Sequence, residues 1–189
     1  MSDLFTESYA LILNELQQSL SQVHGKQVER LLNAIRDANK VFLAGAGRMG
    51  ILLSTFCMRL NHLGFPSYAV GAINCPPIGS KDLLLVASSS GETPTIREVV
   101  IKAEKEKARI AAITATPSST IATIASFIVH IEAPSTLMDS GDGVFISKQP
   151  MKTLFEQTLF LLLEAAVLAL MKLTGQTASD LAQRHGNLE

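Results

Sequence analysis

The chain has 189 residues, 47% hydrophobic and 17% charged, with a formal net charge of −1. This composition excludes a disordered chain, and the near-neutral charge with no lysine–arginine cluster excludes a surface built to attract nucleic acid. Cys57 and Cys75 form neither a CxxC pair nor a zinc-spaced cluster, so they predict reduced thiols in a cytoplasmic protein without a metal site. The polar start MSDLFTESYA lacks a signal-peptide shape.

Residues 3–23 predict an amphipathic helix, with Leu13, Leu16, Leu20 and Val23 on one stripe. Residues 26–38 predict a second, with Val28, Leu31, Leu32 and Ile35 at helical spacing. Apolar runs then alternate with helical patterns: strand 41–44 and helix 48–63, strand 67–70, strand 82–87 and helix 94–107, strand 109–114 and helix 119–125, strand 127–131. The strand runs are continuous rather than alternating, so both faces are expected to be buried. Strand and helix in turn predict an α/β fold, a three-layer αβα sandwich around a five-stranded parallel sheet in flavodoxin-like order 2-1-3-4-5, with added N- and C-terminal helices. The connection after Val70 carries Pro76, Pro77 and Gly79 and predicts an irregular crossover.

Residues 132–151, rich in Pro, Ser, Asp and Gly, predict a long loop of the kind that often carries function. Leu154 to Met171 is apolar on most sides but holds Glu156, Gln157 and Glu164. Carboxylates are expensive in lipid, so this stretch predicts a helix buried partly by its own chain and partly by a partner copy, not a membrane span. The tail, 176–189, predicts a short helix followed by RHGNLE, and the absence of repeats or linkers predicts one domain over 1–189.

The segment VFLAGAGRMG places glycines at 45, 47 and 50, the G-x-G-x-x-G spacing that follows a strand in dinucleotide sites. Such a site also needs an acidic residue about 20 residues on for the ribose. From Arg48 to Lys81 there is no Asp or Glu. A nucleotide cofactor is therefore not expected, and Gly45 and Gly47 predict a tight strand-to-helix turn.

The third strand leads into SSSGETP, 88–94. Pro94 suits the first helical position and puts Thr93 at the N-cap. Free backbone N–H groups and the helix dipole favour an anion there. Ser88, Ser89, Ser90 and Thr93 add neutral donors, Gly91 permits close backbone approach, and there is no Walker lysine. A phosphomonoester fits this loop better than a nucleoside triphosphate; the plain alternative is a serine-rich turn with a cap.

SSSGET resembles the S-x-S-G-x-T phosphate loop of SIS (sugar isomerase) domains. With GAGRMG, MRLNHLGF (58–65), QPMKTLFEQ (149–157) and RHGNLE (184–189), the whole chain resembles the 6-phospho-3-hexuloisomerase family. The resemblance implies interconversion of 3-hexulose 6-phosphate and fructose 6-phosphate without metal or redox cofactor, in a homotetramer with the site near a subunit interface. It implies Glu156 as the base, near the helix start where partial burial would raise its pKa toward the working range, and His185 as an acid–base assistant reaching a neighbouring subunit. Arg48 would face the phosphate or sugar oxygens. Two positions depart from the family: Met49 stands where a serine usually donates to phosphate, and Lys152 where a small residue is common. Glu164, His24, His62 and His130 read as structural or exposed. The rivals are a sugar-phosphate sensor without catalysis and an isomerase of another sugar phosphate; the lack of a DNA-binding extension and the presence of Glu156 and His185 favour the enzyme.

Overall fold

Each apolar run expected to be a strand pairs into one sheet, because a backbone whose side chains are apolar on both faces can satisfy its N–H and C=O groups away from water only on neighbouring strands. The computed structural model describes residues 2–133 and 146–187, so most of the predicted 132–151 loop lies outside the described residues. The elements, in chain order, are α1 (Ser2–Ser21), α2 (Gly25–Asp37), β1 (Val41–Gly45), α3 (Arg48–His62), β2 (Ser67–Ala69), β3 (Leu83–Ala87), α4 (Pro94–Lys105), β4 (Arg109–Thr114), α5 (Thr120–Ile124), β5 (Phe127–His130), α6 (Thr153–Thr174) and α7 (Ala178–Gln183). All five strands are parallel, in the order β2-β1-β3-β4-β5. This is the α/β sandwich and strand order expected from the sequence.

Alternate strand residues feed two apolar layers. Leu43, Leu83, Leu85, Ala111, Ile113 and Val129 pack with α2, α3 and α6, and Leu16 of α1 joins them. Phe42, Leu84, Val86, Ile110 and Ala112 face the other way, against Ile96 and Val100 of α4 and Ile121 of α5. Every residue of β3 is buried, as a central strand covered on both faces requires.

By length and composition α6 could cross a bilayer, but half of its most apolar stretch is buried inside the chain. Leu154, Phe155, Leu159, Leu163 and Leu170 are turned inward, while Phe160, Leu161 and Leu168 stay exposed. The helix therefore packs on α1 and α3 with one face and leaves a second apolar face uncovered.

Candidate active site

β1 and β3 are neighbours, with Gly45 opposite Ala87. The loops that follow them open on the same carboxyl edge of the sheet. From this pair the chain winds outward in opposite directions, to β2 on one side and β4 on the other. That reversal leaves a crevice at the edge, the usual ligand position in open parallel sheets.

The glycines of the first loop serve close packing, as expected. A Cβ on Gly50 would lie 2.6 Å from the Gly45 carbonyl oxygen, and one on Gly45 2.9 Å from the Gly50 nitrogen. Gly47 is the N-cap of α3 at φ 57°, a left-handed conformation that glycine enters without steric cost. Arg48 then begins α3 and its side chain is 69% exposed. Met49, which the resemblance sets in place of a serine, is buried in the apolar core.

The second loop runs from the end of β3 to Thr93, the N-cap of α4, with Pro94 at the first turn. Ser88 and Ser89 are buried, whereas Ser90 and Thr93 are partly exposed. Ser88 Oγ shares a hydrogen bond with Thr93 Oγ1 at 3.0 Å and accepts the Gly91 N–H at 3.1 Å. The Ser88 hydroxyl thus shapes the loop from within instead of standing on its outer rim. Thr93 makes no side-chain cap to the helix. Gly91 also lies against the start of α5: a Cβ there would fall 1.9 Å from Ser119 Oγ. Ser119 caps α5 by accepting the Ala122 N–H. Glu92 joins the same contact, its Oε1 accepting the Thr120 N–H at 2.6 Å, and that backbone hydrogen bond holds its carboxyl below the usual range.

Glu156 lies in the first turn of α6, its N–H donated to the Lys152 carbonyl at 3.1 Å. Its carboxylate, with the side chain only 12% exposed, accepts a hydrogen bond from Arg48 Nε. This ion pair joins the glycine loop to α6 across 108 positions of sequence. Sequence reasoning had both residues but not their contact. A groove of about 330 Å³ opens beside the pair, walled by Ile12 and Leu16 of α1, Leu52 of α3, and Gln157, Phe160 and Leu161 of α6. Gln157 was missed as a site residue; its buried Oε1 has no hydrogen-bond partner among the described residues. The signal was an amide beside Glu156 on an otherwise apolar helix.

His185 lies elsewhere. Its ring centroid is 5.2 Å from that of His62, the last residue of α3. Arg48 and His62 stand at opposite ends of that helix, about 20 Å apart along its axis at 1.5 Å per residue. His185 and His62 line a second cavity, of about 390 Å³, with Arg59 and Glu164 on its wall and an apolar floor that includes Val167 and Leu181. The tail is fastened there by Arg184, which donates to the His62 carbonyl at 2.9 Å and to Gln176 Oε1 at 2.7 Å. Within one chain, therefore, His185 and Glu156 do not meet. Among the described residues no group of His, Cys, Asp and Glu is arranged to hold a metal ion.

The SIS domain model matches residues 34–169. The chain is 38% identical over 184 residues to the 3-hexulose-6-phosphate isomerase of Bacillus subtilis, covering 97% of this chain and 98% of that protein. It is also 38% identical over 189 residues to the 3-hexulose-6-phosphate isomerase of Mycobacterium gastri, covering 100% and 94%. A crystal structure of a hypothetical protein from Methanococcus jannaschii, from which a 3-hexulose-6-phosphate isomerase function was inferred, superposes with a TM-score of 0.81 at 28% identity, over 97% of this chain and 99% of that one. By the family model and by full-length relatives at 38% identity, the chain belongs to the SIS domain family and within it to the 3-hexulose-6-phosphate isomerases.

Proposed function

We propose that residues 1–189 form one isomerase domain that interconverts 3-hexulose 6-phosphate and fructose 6-phosphate through an enediol. The observation that carries this reading is the meeting of Arg48 and Glu156 at the sheet edge that also bears the serine loop. Glu156 removes the proton from C2 of the 3-ketose; electrons flow to O3 and give the 2,3-enediol. A proton returned to C3, with loss of the hydroxyl proton from O2, leaves the C2 ketone of fructose 6-phosphate. One proton changes carbon and no net electrons are lost, so the chemistry needs no redox cofactor.

Orientation comes from the phosphate, held by Ser90 and Thr93, by the loop that Ser88 and Ser89 shape, and by the N-terminal amides of α4. Arg48 steadies the carboxylate and offers its remaining guanidinium N–H groups to sugar oxygens. His185 assists from a neighbouring subunit, shuttling hydroxyl protons near neutral pH. Such sharing is supported by exposed apolar side chains on three helices: Leu4 and Phe5 of α1, Ile51 and Met58 of α3, and Phe160, Leu161 and Leu168 of α6. We read these as interfaces of a homotetramer. A cytoplasmic setting is consistent with two free cysteines.

The test is a coupled assay of fructose 6-phosphate formation together with NMR of the product in D2O. The native chain incorporates deuterium at carbon. Glu156→Gln keeps sugar-phosphate binding and loses turnover by about a hundredfold or more, within the range for removal of a positioned base. Undiminished turnover in that variant would sink the assignment.

A further inference from the structure

Residues 147–149 lead directly into the turn before α6, and their polar groups converge on one buried side chain of α1. Glu15 is 2% exposed. Its carboxylate accepts Ser147 Oγ at 2.7 Å, the Lys148 N–H at 2.8 Å and Gln149 Nε2 at 3.0 Å. Ser147 Oγ in turn accepts the Gln149 N–H at 3.1 Å. Burial pushes the Glu15 carboxyl up, but these hydrogen bonds outweigh it and hold the group below its ordinary value. A hidden carboxylate is a costly way to attach a strap, since an apolar contact needs no compensating donors. What it adds is register: donors from three consecutive residues meet its two oxygens in one alignment.

The chain beyond is held in an uncommon conformation. Met151 has φ 53°, a left-handed backbone that a residue with a Cβ keeps only when the structure on both sides fixes it. Downstream, Thr153 opens α6 and donates both its N–H and its hydroxyl to the Pro150 carbonyl, at 3.2 and 2.7 Å. Upstream, residues 147–149 are held by Glu15. Ile12 and Leu16, on the same turns of α1, wall the groove beside Arg48 and Glu156.

We propose that Glu15 is a positioning residue: by clamping 147–149 to α1 it sets the entry into α6 and hence the place of Glu156. The proposal rests on the reading of Glu156 as the base.

The experiment uses the full-length chain. Glu15→Gln keeps one acceptor oxygen but turns an amide NH2 toward that of Gln149; adding Gln149→Glu restores a matched pair with the roles exchanged. The expected result is a folded Glu15→Gln protein with kcat lowered by about tenfold to a hundredfold, the scale of a small misplacement of a reacting group, with KM little changed and faster hydrogen exchange at the Lys148 amide. The exchanged pair recovers most of kcat. In a Glu156→Gln background, Glu15→Gln adds no further loss, because the two act in one unit. Wild-type kcat in Glu15→Gln, failure of the exchanged pair to recover kcat, or multiplied losses in the double variant would each overturn the proposal. If Glu15→Gln does not fold, Ser147→Ala removes a single donor and is read by the same loss of kcat at steady KM. Turnover retained by Glu156→Gln alone would remove the base itself, whereas turnover lost there but kept in Glu15→Gln would remove only the positioning role.

Discussion

A carboxylate that takes a proton from carbon needs open space on one side and fixed partners on the other. Glu156 has both, with the groove before it and Arg48 beside it. The Arg48 end of the pair is open to solvent, which screens the attraction, so the contribution of Arg48 is alignment more than stability. The hydroxyls of the serine loop divide the work. Ser88 is committed to Thr93 and Gly91, while Ser90 is the serine partly exposed at the edge. Ser90→Ala is therefore expected to weaken binding of fructose 6-phosphate by roughly tenfold, the value of one hydrogen bond to a charged group, and to leave weak binding of unphosphorylated fructose unchanged. Calorimetric titration with both sugars separates the cases, and equal losses would argue against an anion site. Ser88→Ala should act differently, loosening the loop itself and so lowering stability as well as affinity.

At the scale of the element, the tail shows how a short helix is held in place. α7 opens with a reciprocal cap: Thr177 Oγ1 accepts the Asp180 N–H at 3.3 Å and Asp180 Oδ2 accepts the Thr177 N–H at 2.7 Å. Thr177→Ala should cost about 1 kcal/mol of local stability. It is expected to speed hydrogen exchange over 178–184 and to lower kcat by loosening His185, with the main unfolding transition unmoved. The elements themselves were legible in the sequence because each carries its own period: continuous apolar runs for strands, i/i+3/i+4 stripes for helices, and Pro94 to start α4. The strand order followed from the βαβ alternation. What could not be read was any contact between distant segments. Arg48 and Glu156 lie 108 positions apart, and Glu15 and Gln149 lie 134 apart. Such pairings depend on how helices settle on the sheet, which no local pattern encodes. The approach of Gly91 to Ser119 is likewise set by how α5 packs on the loop, and it has no local signal.

For the whole molecule, three hydrogen-bonded carboxylates contribute to the acid dependence of stability. Glu15, Glu92 and Asp180 are all held below their ordinary values, Glu15 by the Ser147, Lys148 and Gln149 donors against its burial, Glu92 by the Thr120 N–H, Asp180 by the Thr177 N–H and hydroxyl. A group lowered on folding stabilises fully above its unfolded value, near 4.5 for a glutamate, and loses that contribution as pH falls through the folded one. Denaturant unfolding is thus expected to show, from these groups, little change between about pH 6 and 8 and a decline below about pH 4.5. Glu15→Gln should flatten part of the decline; an unchanged slope would mean that folding does not lower the pKa of this carboxyl.

The separation of His185 from Glu156 along α3 has a consequence for mixtures of subunits. If one chain lends its imidazole to the catalytic carboxylate of another, two separately dead variants can repair each other. Glu156→Gln and His185→Gln proteins, each nearly inactive alone, should regain turnover when unfolded and refolded together, since some composite sites then draw an intact carboxylate from one parent and an intact imidazole from the other. Silence in the mixed sample, with hybrid assemblies demonstrated by mass spectrometry, would mean that every chain works alone.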